Sequence, residues 1–130
     1  MESLTRVLKL QKGAARIILV TEKTTSSIFL FNILNGVPFT QESLIKRTTL
    51  AFKRVNISYC TPSYLDSLLV RNYDVHSRET RYCKFNMSCP RYKRKTEGGK
   101  TFAVRTIIDW NSIDINIRNK TTVSSFKRNI

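Results

Sequence analysis

The stretch Thr40–Asn56, TQESLIKRTTLAFKRVN, puts Leu44, Ile45, Thr48, Phe52 and Val55 on one face of a helix, with Lys46, Arg47, Lys53 and Arg54 pointing away. Thr40, two residues after Pro38, caps its start, and the pattern ends near Asn56. Toward the N-terminus, Thr24, Thr25, Ser26 and Ser27 offer caps for a short, largely buried helix carrying Ile28, Phe29, Leu30, Phe31, Ile33 and Leu34. Asn35-Gly36 supplies its stop. Earlier still, Leu4, Val7, Leu8, Ala14, Ala15 and Ile18 fall on one arc of a helix over Leu4–Leu19. Arg6, Lys9, Lys12 and Arg16 form its basic back, which reads as a solvated face.

Toward the C-terminus, Thr61-Pro62 forms a cap and first turn for a helix that buries Tyr64, Leu65, Leu68 and Leu69. Ile107, Ile108 and Trp110 belong to another helical segment, and Val123, Phe126 and Ile130 to a last one capped by Thr121 or Thr122. Between them, residues 71–105 carry ten basic residues against three acids, scattered aromatics, Pro90 and Gly98-Gly99. Extended pieces around Cys83–Cys89 and Thr101–Arg105 are expected to pair across the Pro90–Gly99 loop. The predicted architecture is mainly α, a small domain of short amphipathic helices with one β-hairpin in 80–105. It is read as one domain over 1–130: helical to 70, a basic loop or hairpin region over 71–105, then the Trp110-Asn111 segment and a terminal helix.

A chain of 130 residues, 41% hydrophobic, can bury one core and is too short for a polymerase plus a second domain. Its 23 Lys and Arg against nine acids give a formal charge of +14. That excess points to a polyanionic partner, nucleic acid before a membrane surface, because Lys and Arg on phosphates release condensed counterions. An unspecialised basic surface is the competing reading.

Cys60, Cys83 and Cys89 form an odd set with no close pairing pattern and no apolar signal segment before them, so an intracellular, reduced protein of cytoplasm or nucleus is expected. The sequons at Asn56, Asn86 and Asn119 then carry no glycan. No apolar run approaches the roughly 18 residues of a membrane span, so no membrane partner is expected. The basic N-terminal series also has the look of a mitochondrial presequence, a reading ranked below a folded helix.

No two of the nine acids are adjacent, so the paired carboxylates of two-metal chemistry are missing. No catalytic residue, cofactor or small-molecule substrate is expected. His76, Cys83 and Cys89 give only three widely spaced zinc ligands, with Cys60 distant, and read as small thiols and a loop histidine rather than a metal site. The best functional constellation is Arg78, Arg81, Lys84, Arg91, Tyr92, Lys93, Arg94, Lys95 and Lys100, with Tyr82 and Phe85 interleaved. The cations would hold phosphates while exposed rings stack on unpaired bases, and Gly98-Gly99 would act as a hinge. A basic loop whose rings tuck into the core is the equal alternative. Trp110, among Ile107, Ile108 and Ile113, reads as a core anchor with its indole N–H satisfied internally, and Asn111 and Ser112 as cap or turn residues.

Two groups of residues carry a family resemblance. One is Leu10, Gln11, Lys12, Ala14, Ala15, Arg16, Ile17 and Ile18; the other is Trp110, Asn111, Ser112, Ile113, Ile117 and Arg118, followed by Ser124, Ser125, Phe126 and Lys127. Together they resemble the C-terminal, post-polymerase segment of reverse transcriptases encoded by non-LTR (LINE, jockey-like) retrotransposons. In that family L-x-L-Q-K-x-A-A-R-x-I opens the region and W-N-S-L-P-x-x-I-R closes it. His76, Ser77, Arg78, Thr80 and Arg81 match a further H-S-R-x-T-R stretch.

The resemblance implies a non-catalytic tail of an RNA-directed DNA polymerase, whose aromatic-x-Asp-Asp motif is absent from this chain. Such a tail would bind template RNA or target DNA. The alternative is a protein-interaction or scaffold module that packs on the thumb of the parent protein's polymerase portion and has no nucleic-acid affinity of its own. Two positions depart from the family pattern, Asp109 before the tryptophan and Asp114 where proline is usual. A carboxylate beside a buried tryptophan is costly unless paired or exposed. These departures fit either divergence or a decaying element copy. The family tail generally continues past its Phe-Lys motif, so the resemblance also implies a fragment of a longer reading frame.

Overall fold

The computed structural model describes residues 2–57, 61–75, 85–93 and 98–130. Among them the chain is mainly helical, with eight α-helices, one 3-10 turn and no sheet. Internal contacts group it into two compact units, 1–43 and 44–130.

In the first unit, α1 (Glu2–Leu19) packs against α2 (Ser27–Ile33). Ala15, Leu30 and Phe31 are buried, and Leu4, Leu8 and Leu19 half-buried. The covered stripe of α1 thus runs at 4, 8, 15 and 19. The rest of the expected apolar arc faces outward: Ile18 is 66% exposed, beside Leu10 at 75% and Ile17 at 80%.

Both helices end in a Schellman turn. Thr21 N–H donates to Arg16 O (3.0 Å) and Val20 N–H to Ile17 O (3.3 Å), with Val20 at φ 50°. Gly36 N–H donates to Phe31 O (2.9 Å) and Asn35 N–H to Asn32 O (3.3 Å), with Asn35 at φ 48°. Asparagine tolerates the left-handed region, so in the Asn35-Gly36 stop it is Asn35 that turns the chain. Valine at position 20 does so against the crowding of its branched Cβ.

The helix predicted over Thr40–Asn56 is α3 (Phe39–Asn56); it starts ahead of Thr40, the expected cap, with the Gln41 and Glu42 N–H groups donating to Pro38 O. Its buried residues Thr48, Ala51 and Phe52, with Val55 partly buried, recur at i, i+3, i+4 and i+7. The second unit adds α4 (Ser63–Leu68), α5 (Asn72–Val75), a 3-10 turn (Gly98–Lys100), α6 (Phe102–Ser112), α7 (Ile115–Arg118) and α8 (Val123–Arg128). Phe52 stacks on Phe126 at 4.4 Å between centroids and meets Trp110 edge-on at 6.5 Å. Ala51, Leu69, Met87 and Ile107 complete this core. Thr122 caps α8 by accepting the Ser125 N–H at 3.2 Å, one of the two caps expected.

Several expectations need correction. The hairpin expected in 80–105 lacks its second strand among the described residues. Residues 102–105 are the first turn of α6, where Val104, Ile107 and Trp110 are buried at helical rather than alternating spacing. Among the described residues the one extended pairing is an antiparallel bridge between Arg71 and Met87. Asn72 N–H donates to Asn86 O (2.9 Å) and Ser88 N–H to Val70 O (2.8 Å) around it. Leu65 of α4 and Leu69 at its C-cap are buried, while Tyr64 and Leu68 lie outward because so short a helix covers only one i, i+4 stripe. Pro62, not Thr61, occupies the N-cap position of α4. Arg47 and Arg54 do not point into solvent: they pair with Asp109 (2.7 Å) and Asp66 (2.8 Å), each arginine side chain largely covered.

Candidate nucleic-acid interface

The site is built from the Trp-Asn segment outward. Trp110 is fully buried, and its indole N–H donates to Phe85 O at 2.6 Å, the internal satisfaction a buried indole needs. Asn111 is not the cap or turn residue expected. It lies in the last turn of α6, where its amide accepts the Met87 N–H (3.0 Å) and donates to Met87 O (2.9 Å). A carboxamide is the neutral side chain that offers a donor and an acceptor side by side, as one residue's backbone does.

Arg118, 5% exposed, donates to Asn86 Oδ1 at 2.6 Å, lies near Phe85 O at 3.4 Å and places its guanidinium 5.9 Å from the Trp110 ring centroid. Burial pushes its pKa below the ordinary arginine value, and Asp114 pulls it back up. Trp110, Asn111 and Arg118 therefore hold the three consecutive residues Phe85, Asn86 and Met87.

Both departures from the family pattern have partners. Asp109 accepts Arg47 Nε (2.9 Å) and Nη2 (2.7 Å), and the Asp114 carboxylate caps α7 through the Asn116 N–H (2.7 Å). The N-terminal group of resemblance residues is also engaged in packing. Gln11 donates to Val37 O (3.0 Å) and accepts the Phe39 N–H (2.8 Å), Arg16 donates to Thr25 O (3.3 Å), and Ala15 is buried.

The segment held by Asn111 runs on into Arg91, Tyr92 and Lys93, all exposed. Its far side is the 3-10 turn that leads into α6, where Thr101 Oγ1 donates to Gly98 O at 2.9 Å and Lys100 is exposed. The Tyr92 side chain lies along this turn. A β-carbon at Gly98 would overlap Tyr92 Cβ and reach within 2.9 Å of its Cγ; at Gly99 it would stand 3.5 Å from Cε2 and from the hydroxyl oxygen. Gly98-Gly99, expected as a hinge, lies against the Tyr92 side chain and forms a seat for it. Tyr92 keeps 38% of its surface exposed. Arg91, Lys93, Lys100 and Arg105 make no ion pair among the described residues.

Of the expected constellation, the structure thus brings together Arg91, Tyr92, Lys93 and Lys100. Arg78, Arg81, Lys84, Arg94 and Lys95 lie outside the described residues, as do Tyr82, His76, Cys60 and Cys83 with the zinc comparison. Phe85 is half-buried. Among the described residues no three His, Cys, Asp or Glu side chains group as metal ligands, and no helix is long and apolar enough to cross a membrane. Compared with protein-family models, curated proteins and solved structures, the chain matches none.

Proposed function

We propose that the chain is a non-catalytic nucleic-acid-binding module, the C-terminal region of a non-LTR retrotransposon RNA-directed DNA polymerase, that holds template RNA or target DNA. The observation that carries the binding reading is the exposed cluster Arg91, Tyr92, Lys93 and Lys100, without ion pairs among the described residues, on a chain of formal charge +14. Lys and Arg so placed contact phosphates without first giving up a carboxylate. The attribution to a polymerase tail rests on the sequence resemblance. Charge reversal at Arg91, Lys93 and Lys100 tests the site: affinity for RNA and DNA is expected to fall and its salt dependence to flatten by about one unit per lost phosphate contact. Unchanged binding would remove this surface from the proposal.

A second reading, a scaffold module packing on the polymerase portion, is favoured by α1. Leu10, Ile17 and Ile18 on this helix are 75%, 80% and 66% exposed, apolar side chains that a partner could cover. It predicts binding to the separated polymerase portion that Leu10→Ser with Ile17→Ser abolishes, and no affinity for nucleic acid alone.

A further inference from the structure

We infer that Tyr92 is a pre-set stacking platform for one unpaired base, which makes single-stranded nucleic acid the preferred ligand over duplex. This rests on the reading of the chain as a nucleic-acid-binding module and names the ligand class of that site. The ring is fixed from one side, because the two glycine backbones approach it more closely at Gly98 than any β-carbon would permit. Tyr92 as a whole keeps 38% of its surface exposed, the area a base would stack on in this proposal. A base stacking there pays little ordering cost, since the side chain is already held in place.

Exposed cations neighbour Tyr92 along the chain. Arg91 and Lys93 adjoin it in sequence and Lys100 follows the glycine seat, so phosphates on either side of a stacked nucleotide meet positive charge. The described residues before and after Tyr92 are tied down, Met87 by the Asn111 pair and Gly98 by the Thr101 bond. Paired bases inside a duplex keep their faces stacked on one another and offer the ring none.

The experiment compares the full chain with Tyr92→Ala, Tyr92→Phe and Gly98→Ala. The ligands are single-stranded RNA, single-stranded DNA and duplex DNA of matched phosphate count, with 2-aminopurine in the single strands to report stacking. The wild type should bind a single strand more tightly than duplex. Tyr92→Ala should weaken single-strand binding roughly 5- to 100-fold and relieve quenching of 2-aminopurine, while duplex binding changes less than about twofold. Tyr92→Phe should retain both properties. Gly98→Ala, which displaces the ring without removing it, should behave like Tyr92→Ala. The two single-strand arms show whether RNA, DNA or both are taken.

If Tyr92→Ala weakens all ligands alike, or none, the platform is overturned while the phosphate-binding reading stands. If the wild type binds no nucleic acid at low salt, both fall.

Discussion

Asn111→Ala removes both hydrogen bonds to the Met87 backbone, of 3.0 and 2.9 Å, and touches little else because the side chain is otherwise exposed. At about 1 kcal/mol net for each bond, the loss is about 2 kcal/mol. Solvent reaching the gap lowers that figure, and the Met87 side chain, 1% exposed in the core, raises it if the bridge to Arg71 loosens. For a cooperative unit of this size, roughly 10 °C in Tm corresponds. Trp110, the one tryptophan in the chain and fully buried beside the change, reports unfolding in urea by its fluorescence.

Asn111→Asp sharpens the test. At neutral pH its carboxylate faces the Met87 carbonyl and should cost at least as much as alanine. The repulsion from that carbonyl is expected to outweigh the bond still accepted from the Met87 N–H and to raise the carboxyl pKa in the folded state above the ordinary value of about 3.9. The penalty is therefore full above the folded pKa and fades as pH falls through it, so Asn111→Asp should gain on Asn111→Ala between about pH 7 and pH 4. Ser112→Ala, one residue on, removes an exposed bond to Asp109 O and should stay within about 0.5 kcal/mol. If Asn111→Ala proves as mild as Ser112→Ala, the side chain is not what holds residues 85–88, and the reasoning from geometry to stability fails.

Val20→Gly should stabilise the α1 turn by about 1 kcal/mol, because glycine adopts the φ of 50° without crowding; circular dichroism melting would show it, and a loss of helix stability would contradict the strain. A double-mutant cycle between Arg47→Ala and Asp109→Ala should give a coupling of about 1 to 3 kcal/mol, since the pair is bidentate to one oxygen and mostly covered; purely additive effects would mean that the pair contributes nothing. Arg118→Ala should cost more than about 2 kcal/mol in the same urea assay, because it strips the buried partner from Asn86 Oδ1 and opens space beside Trp110; a loss under about 0.5 kcal/mol would refute its structural role.

The helices were legible where the signals are local. The face of α3, the cap at Thr122 and the stop at Asn35-Gly36 each need only a few neighbouring residues to be read. What the sequence concealed depends on partners far along the chain. Arg47 finds Asp109 across 62 positions, so a cation that looks solvated on its own helix is paired. Asn111 reads as a turn former until Met87, 24 residues earlier, is placed beside it. The failed hairpin has the same origin: Met87 lies in an extended segment, but its partner is Arg71, while the alternation sought at Thr101–Arg105 is overridden by the helical spacing of Val104, Ile107 and Trp110. In the candidate site, charge was legible from composition, whereas the glycine pair could be read as a hinge or a seat until Tyr92 lay against it.

One assignment changes most. Gln11, Arg16, Trp110, Asn111 and Arg118, residues that carry the family resemblance, are occupied in holding backbone or filling the core. Among the described residues of the second unit, Arg91, Lys93 and Lys100 are by contrast exposed cations without an ion pair.

Binding of the full chain to single-stranded RNA, single-stranded DNA and duplex DNA across a salt series tests the central claim most directly. The account predicts affinity that falls steeply with salt, with a log–log slope near −0.7 to −0.9 for each phosphate contacted and several contacts in total. No binding at low salt, or binding indifferent to salt, would contradict it.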